Sequence, residues 1–428
     1  MGIFADRLKT KLIDSIRDVV SASWLFVRKP GKDFTRKRKL PMIALLRLVL
    51  SMGGASLNRE LLSFFDYNTA VPTTAAFIRQ REKILPEAFD YLFRDFTDKL
   101  RFKEWHGYRL LAVDGSDIVS CANAEDGASF IRREGMNGYN ITHLNTLFDL
   151  RSRLYVDFIN QPTRNENERA ALIEMVGRLE CGRGIIIADR NYESYNVFKH
   201  IEARGLNYLI RVKDVASSGI LAGLTLPDGE FDVAVKRILT NRQTNAVKAD
   251  PGKYRYLPNS TPLDFYDADG YCPIGFRVVR FAIPGGFEAV ITNLPADEFP
   301  PDTIRELYAK RWGIETSFRE LKYTIGLNAL HSKKADSISQ EIAARLVMYN
   351  FCESIAAMTV INNGNRKYAY KVNFSAAVDI CLALFRWNGP DLPDAETLIV
   401  KYLTPLRERS FERKVSSKGV VSFMYRIA

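Results

Sequence analysis

Three carboxylates are placed where they could do chemistry together. Asp114 closes the apolar run YRLLAVD, Asp189 closes GIIIAD, and Glu315 lies in YAKRWGIETSFRELK, residues 308–322. Carboxylates from separate elements are what a two-metal phosphoryl transfer needs. They hold two hard cations about 3.5–4 Å apart, which clamp the attacking and leaving oxygens. Mg²⁺ suits such a site because it takes oxygen ligands and keeps waters. On a helical wheel of about 100° per residue, Tyr308, Arg311, Glu315 and Lys322 share a face about 60° wide. Leu307, Ile314, Phe318, Leu321 and Ile325 form an apolar stripe beside it. Taken singly, the plainer readings are turn or N-cap aspartates and an amphipathic surface helix with a salt-bridged edge. Taken jointly, the three acids favour a metal site. Asp117 is expected to point elsewhere after a turn at Gly115 and Ser116, and is left out.

The elements that must position these residues come in a definite order. YRLLAVDGSD, ITHLNTLFDL and RLYVDFIN read as strands, with Arg151 and Ser152 as a tight turn between the last two. NENERAALIEMVGRL reads as a helix, GIIIADRNY as a buried strand, SYNVFKHIEARG as a helix and LNYLIRVK as a strand. Hairpin-linked strands, a helix, then alternating strand and helix is the order of a ribonuclease-H-like α/β fold. There the ends of the first and fourth strands are neighbours, so Asp114 and Asp189 would meet. Residues 214–286 interrupt the pattern with short β-prone pieces and turn-rich loops. FEAVITNLP then returns as a strand, Pro300, Pro301 and Asp302 open the long helix, and Gly326 stops it.

Both flanks read as helical. Before residue 105, Ser56 is placed to cap one short helix and Thr73 and Thr74 open another, TTAAFIRQREKI, a pair that resembles a helix-turn-helix. Arg36, Lys37, Arg38 and Lys39 form a basic loop suited to phosphate contact. The expected organisation is a helical DNA-binding domain (1–104), the first part of the core (105–213), a β-rich insertion (214–286), the second part of the core with the catalytic helix (287–330), and a helical C-terminal domain suited to dimerisation (331–428).

Net charge is +11, which favours a polyanionic partner. Residues 1–103 hold 20 Lys/Arg against 11 Asp/Glu, so much of the excess sits at that end. The 46% apolar and 26% charged fractions argue against wholesale disorder. Five cysteines (Cys121, Cys181, Cys272, Cys352, Cys381) lie far apart, which argues against a disulfide framework and fits a reducing cytoplasm. The four histidines are scattered, so no His-rich metal site is expected. No signal-peptide core follows the start Met, and the best apolar run, 42–52, is short and broken by Arg47, so no membrane span is expected.

The spacing Y-x2-R-x3-E-x6-K, matched by Tyr308, Arg311, Glu315 and Lys322, resembles the signature of bacterial DDE transposases of the insertion-sequence-four type. DGS at Asp114 and DRNY at Asp189 are similar to that family's two aspartate motifs, and YLIRVK, which contains Arg211 and Lys213, to a further segment of it. The resemblance covers about residues 108–330. It implies a ribonuclease-H-like core with a β insertion, and cut-and-paste movement of an insertion sequence through a DNA hairpin. It also implies that Asp114, Asp189 and Glu315 hold two Mg²⁺ ions, with Mn²⁺ as a substitute. Tyr308, Arg311 and Lys322 would hold phosphates, with Arg190, Arg211 and Lys213 as further DNA contacts. An aromatic at the start of FEAVITNLP can be a platform for an extruded base, typically Trp in that family; here it is Phe287, and a core phenylalanine is the alternative. The implied partners are double-stranded DNA (element ends and target) and a second copy of the chain. Two other classes fit the same residues: a ribonuclease-H-like nuclease without strand transfer, and a DNA-binding regulator derived from a transposase.

Overall fold

The computed structural model describes residues 3–36, 38–135, 137–215, 217, 219–359, 361, 368–389 and 394–406. It is a mixed α/β structure whose chain divides into two compact units. One comprises residues 1–101, 118–142 and 318–428; the other comprises 102–117 and 143–317.

The first unit begins with five helices: α1 (Ile3–Ser21), α2 (Met42–Ser51), α3 (Leu57–Phe64), α4 (Thr74–Arg81) and α5 (Glu87–Asp98). Thr73 caps α4, its hydroxyl accepting from Ala76 N. Ser56 occupies the N-cap of α3 without a side-chain bond. Glu60, in the first turn of α3, accepts instead from the amides of Gly53 and Ala55, which precede the helix. Residues 65–73 link α3 to α4, a longer connection than the about three or four residues of a helix-turn-helix.

Strands β1 (Arg109–Cys121), β2 (Phe130–Ile131), β3 (Tyr139–Asp149) and β4 (Leu154–Pro162) follow. The expected turn after Asp114 is absent: β1 runs straight through Gly115 and Ser116, and Asp117 lies on the same strand. The hairpin between β3 and β4 uses residues 150–153. Asp149 accepts there from the amides of Arg151 and Ser152. Next come α6 (Glu168–Arg178), β5 (Gly184–Ala188), α7 (Tyr195–Ala203) and β6 (Asn207–Val212). Then follow β7 (Phe231–Thr240), α8 (Asn245–Ala249), β8 (Tyr254–Tyr256), β9 (Tyr271–Ile283) and β10 (Gly286–Thr292). The pieces of 214–286 do not stand apart from the sheet. In the second unit the strands lie in the order β3-β1-β5-β6-β10-β9-β7-β8, with β4 beside β3.

The centre of that sheet is buried on both faces, which is why GIIIA reads as an unbroken apolar run. Period-2 alternation sorts its side chains. Leu111, Val113, Ile186, Ala188, Tyr208 and Ile210 join the cluster that contains Leu172 and Met175 of α6 and Phe198 of α7. Leu110, Ile185, Ile187, Leu209 and Val290 join the opposite cluster. Each fully buried Ile contributes roughly 1.5–3 kcal/mol, so β5 is anchored far more firmly than any surface ion pair could achieve.

The stretch expected as one helix is broken. α9 (Pro301–Ala309) is followed by a turn at Lys310 and Arg311 and then by α10 (Trp312–Arg319). A π-helical segment, Glu320–Thr324, comes next. Arg311 N bonds Tyr308 O, and Ile314 N bonds Arg311 O, both i→i+3. A tight turn rotates more per residue than an α-helix and a π turn less, so a uniform 100° wheel misplaces the later residues. Gly326 ends the segment with φ +92°, close against the backbone of Gly53 and Gly54.

The remaining elements belong to the first unit: α11 (Ala335–Met358), β11 (Tyr370–Val372), α12 (Phe374–Arg386), α13 (Ala395–Lys401) and β12 (Leu403–Pro405). α11 is the core helix of this unit, packed by α1, α2, α5, α12 and α13. It buries a charged network. Arg81 meets Glu341 at 2.7 Å and Gln340 at 2.7 Å. The carboxylate of Glu341 also accepts from His331 N at 2.9 Å, and Arg345 donates to the carbonyl of Gly53 at 3.0 Å. Arg81 is therefore a structural residue, not an exposed DNA contact. Burial alone would raise the Glu341 carboxyl, but Arg81, His331 and Arg345 hold it well below the usual carboxylate range.

Removing one partner of such a pair leaves an uncompensated buried charge, so Arg81→Ala should cost about 3–5 kcal/mol in urea unfolding. The lowered pKa of Glu341 sets the pH dependence. Its contribution is complete above the ordinary Glu value of about 4.3 and is lost as pH falls further. The stability gap between wild type and Glu341→Gln should therefore hold from pH 7 to about 5 and narrow in more acid solution. A gap that widened on acidification would contradict the assignment.

Candidate active site

The acid pair follows from strand register. β1 and β5 are parallel with Ala112 opposite Ile187, so Asp114 and Asp189, two positions further on, end level on adjacent strands. Parity with Leu110 and Ile187 puts both on the α9 face of the sheet. Each carboxylate is held by a nearby amide: Asp114 accepts from Gly115 N at 3.0 Å and Asp189 from Asn191 N at 2.8 Å. Burial is the main cause that pushes Asp114 up to about 7; the Gly115 amide opposes it and the Asp189 charge adds to it. Asp189 is also raised by burial, against the pull of its own amide bond, Arg311 and Arg211.

The same register places further residues at this end of the sheet. Ala188 is opposite Ile210 and Arg211 opposite Val290, so Arg211 stands beside Asp189 on the same face. Arg211 pairs with Glu288 at 3.0 Å. Lys213 is exposed just beyond β6. Arg190 is exposed in the turn after Asp189. Phe287 is 38% exposed rather than a core residue. It has the parity of Ala289, so its ring lies on the opposite face from the aspartates, with the Arg280 guanidinium 4.0 Å from its centroid.

Arg311 joins the third acid to the pair. Its Nη2 donates to Glu315 at 2.9 Å, and Asp114 and Asp189 both feel its charge. It is buried, its Nε finds no partner, and its guanidinium lies 4.8 Å from the Trp312 ring centroid. Tyr308 packs in the α9-face cluster; its buried hydroxyl also lacks a partner and is pushed up to about 12 by burial. Two donors without acceptors beside three carboxylates suit a ligand that carries both cation and anion, as a metal-bound phosphate does. Lys322 is half-buried on the π segment in the other unit. Arg36, Arg38 and Lys39 are exposed in that unit, while Lys37 lies outside the described residues.

Sequence reasoning missed a second group. His143 on β3 touches Asp117 through Nδ1 at 2.8 Å and Glu168 through Nε2 at 3.2 Å, with Glu166 at 3.7 Å. Asp117, His143 and Glu166 could bring ligand atoms within 4.8 Å of one another. However, an imidazole engaged by carboxylates on both nitrogens is a charged donor, not a ligand. Burial works against that charge, but Glu168 and Asp117 more than offset it and push His143 up to about 9. The one available signal was Gly115, the residue after Asp114 on β1. A Cβ on Gly115 would lie 2.2 Å from His143 Nε2 and 2.5 Å from Glu168 Oε1.

The family model described as "Transposase DDE domain" matches residues 105–351, more than half of the chain. The InsL product of insertion sequence element IS186A in Escherichia coli strain K12 is 34% identical over 62 residues, 14% of this chain and 17% of that protein. The transposase of insertion sequence element IS421 from Escherichia coli is also 34% identical over 62 residues, with the same shares. The chain thus spans about a sixth of the length of the curated relatives it matches. A solved structure, the piggyBac transposase synaptic complex with hairpin DNA, aligns over 97% of this chain and 88% of its own, at a TM-score of 0.44 and 10% identity.

Gly115→Ala should displace His143 and Glu168 at a cost of about 1–3 kcal/mol, the usual range for overpacking. Denaturant midpoints check this; an unchanged midpoint would mean the space beside Gly115 is not filled.

Proposed function

The chain belongs to the family of transposase DDE domain proteins, and from that premise we propose that it cuts the ends of an insertion sequence and joins them to target DNA. The finer reading is an enzyme of the insertion-sequence-four type with a ribonuclease-H-like core. It would excise its element by cut-and-paste through a hairpin. The observation that carries this is the level placement of Asp114 and Asp189 on neighbouring parallel strands, with Arg311 linking them to Glu315.

The donor set fits Mg²⁺: hard carboxylate oxygens of two neighbouring acids at a half-buried sheet end, where Arg311 and Arg211 are engaged by Glu315 and Glu288. Asp114, Asp189 and Glu315 would hold two such ions, or Mn²⁺ in their place, which supply Lewis-acid activation of the scissile phosphate. Arg311 neutralises Glu315 in the free protein, and a DNA phosphate competes for that guanidinium through its planar fork of donors. The Tyr308 hydroxyl offers a phosphate oxygen a donor that has no other use. Lys322, Arg190, Arg211 and Lys213 add charge along the DNA path, and Arg36 to Lys39 supply non-specific backbone contact. A pair of protomers, one per element end, answers the need to hold both ends, with residues 331–428 as the dimerising part. Its place of action is the cytoplasm, and among the described residues no helix is long and apolar enough to cross a membrane.

Asp114→Asn, Asp189→Asn and Glu315→Gln should each abolish cleavage of end-bearing DNA in Mg²⁺ while leaving DNA binding intact. Normal cutting by Glu315→Gln would remove it from the site. Neutralising Arg36, Lys37, Arg38 and Lys39 should flatten the log–log salt dependence of binding by about 0.9 for each phosphate no longer neutralised; an unchanged slope assigns the loop to solvent. The platform role of Phe287 rests on its exposure at the same sheet end. Phe287→Ala should slow hairpin formation roughly 5- to 150-fold with little effect on the first nick. Equal slowing of both steps would end that role and assign Phe287 to packing.

A further inference from the structure

Glu168 lies against Gly115, the residue whose amide binds the Asp114 carboxylate, on the face of the sheet opposite to that carboxylate. It opens α6, whose Leu172 and Met175 pack in the cluster opposite to the α9 face. Gly115 and Asp117 share that opposite parity on β1, and the missing side chain at Gly115 leaves the space that the His143 ring and the Glu168 carboxylate occupy. The imidazole grips Glu168 on one nitrogen and Asp117 on the other, so Glu168 is held by a fixed donor instead of swinging in solvent. Its charge is felt by Asp114 and Asp189 alike.

A separate observation points into the same place. Tyr192 is fully buried, its hydroxyl has no hydrogen-bond partner, and the charges it feels are those of Glu168, Asp114, Asp189 and Glu166. A fully buried hydroxyl without a partner, within electrostatic reach of these acids, is one that a bound water or ion would satisfy.

Resting on the reading of the site given above, we infer that Glu168 is a fourth carboxylate of the divalent-cation site, with His143 as its positioning residue and the Tyr192 hydroxyl as a donor into the bound cation's water shell. Gly115 is then a functional glycine, since any side chain there would close the route by which Glu168 arrives. Carboxylates that hold a metal are themselves held by hydrogen bonds, and loss of such an outer partner typically costs about 10–100-fold in metal affinity.

The test uses the full-length protein without DNA and Mn²⁺ alone as the probe, with affinity read by calorimetry or by the spin resonance of free Mn²⁺. Glu168→Gln should weaken Mn²⁺ at least about tenfold, and His143→Ala about 10–100-fold. His143→Gln, which keeps a donor, should recover part of the loss, as a merely structural role would not. Tyr192→Phe should weaken binding by a smaller factor. Glu174→Gln, on α6 but paired to Arg178 at 2.5 Å, should bind Mn²⁺ as wild type does. If Glu168→Gln fails to fold, Glu168→Asp, which keeps the charge and withdraws the oxygens by one methylene, should show the same loss. Asp114→Asn distinguishes the two failures. Loss of Mn²⁺ binding in Asp114→Asn with wild-type affinity in both Glu168 variants overturns the fourth carboxylate and leaves the site standing. Wild-type affinity in Asp114→Asn overturns the site itself.

Discussion

The parallel pairing of β1 with β5 is the constraint on which the rest depends. A slip of one residue would turn Asp189 to the opposite face and leave Asp114 alone. That register is secured by burial on both faces. Ile186 and Leu111 pack towards α6 and α7, while Ile185, Ile187 and Leu110 pack towards α9. No electrostatic attraction at the sheet end is needed to hold the acids together; Asp114 is raised chiefly by its burial, with the Asp189 charge a smaller addition. Apolar burial of β1 and β5 therefore fixes the two carboxylates as neighbours.

Candidate groups converge on one sheet end from both of its faces. α9 and the turn before α10 bring Tyr308, Arg311 and Glu315 from one face; β3 and α6 bring His143 and Glu168 from the other. Arg311 and His143 play parallel parts, each a cation tying an acid into place. They differ in what they leave open: Arg311 keeps an unpartnered Nε beside the acids, whereas both nitrogens of His143 are taken. The first is suited to exchange one anion for another, the second to stay where it is.

How much of this was legible in the sequence depends on the range of the interaction. The aspartates could be found because two apolar runs of strand length end in them, and strand order alone predicts their meeting. The Tyr308–Arg311–Glu315 spacing was visible too, although the wheel that justified it assumed one uninterrupted helix. The turn at Lys310–Arg311 and the π segment Glu320–Thr324 arise from packing that no local pattern encodes. Gly115 was misread as a turn because glycine after an apolar run usually ends a strand. Here it is required by side chains that lie 28 and 53 positions later in the chain, His143 and Glu168. Arg81 lies in the short basic helix TTAAFIRQREKI, and only α11, more than 250 residues on, shows it to be a buried counter-ion.

The most direct test is the position of Mn²⁺ in crystals of the protein with a DNA end, located by anomalous scattering. A peak is expected within coordination distance, about 2.0–2.6 Å, of carboxylate oxygens of both Asp114 and Asp189. Mn²⁺ bound near the DNA with neither aspartate in its coordination shell would contradict the shared-cation site.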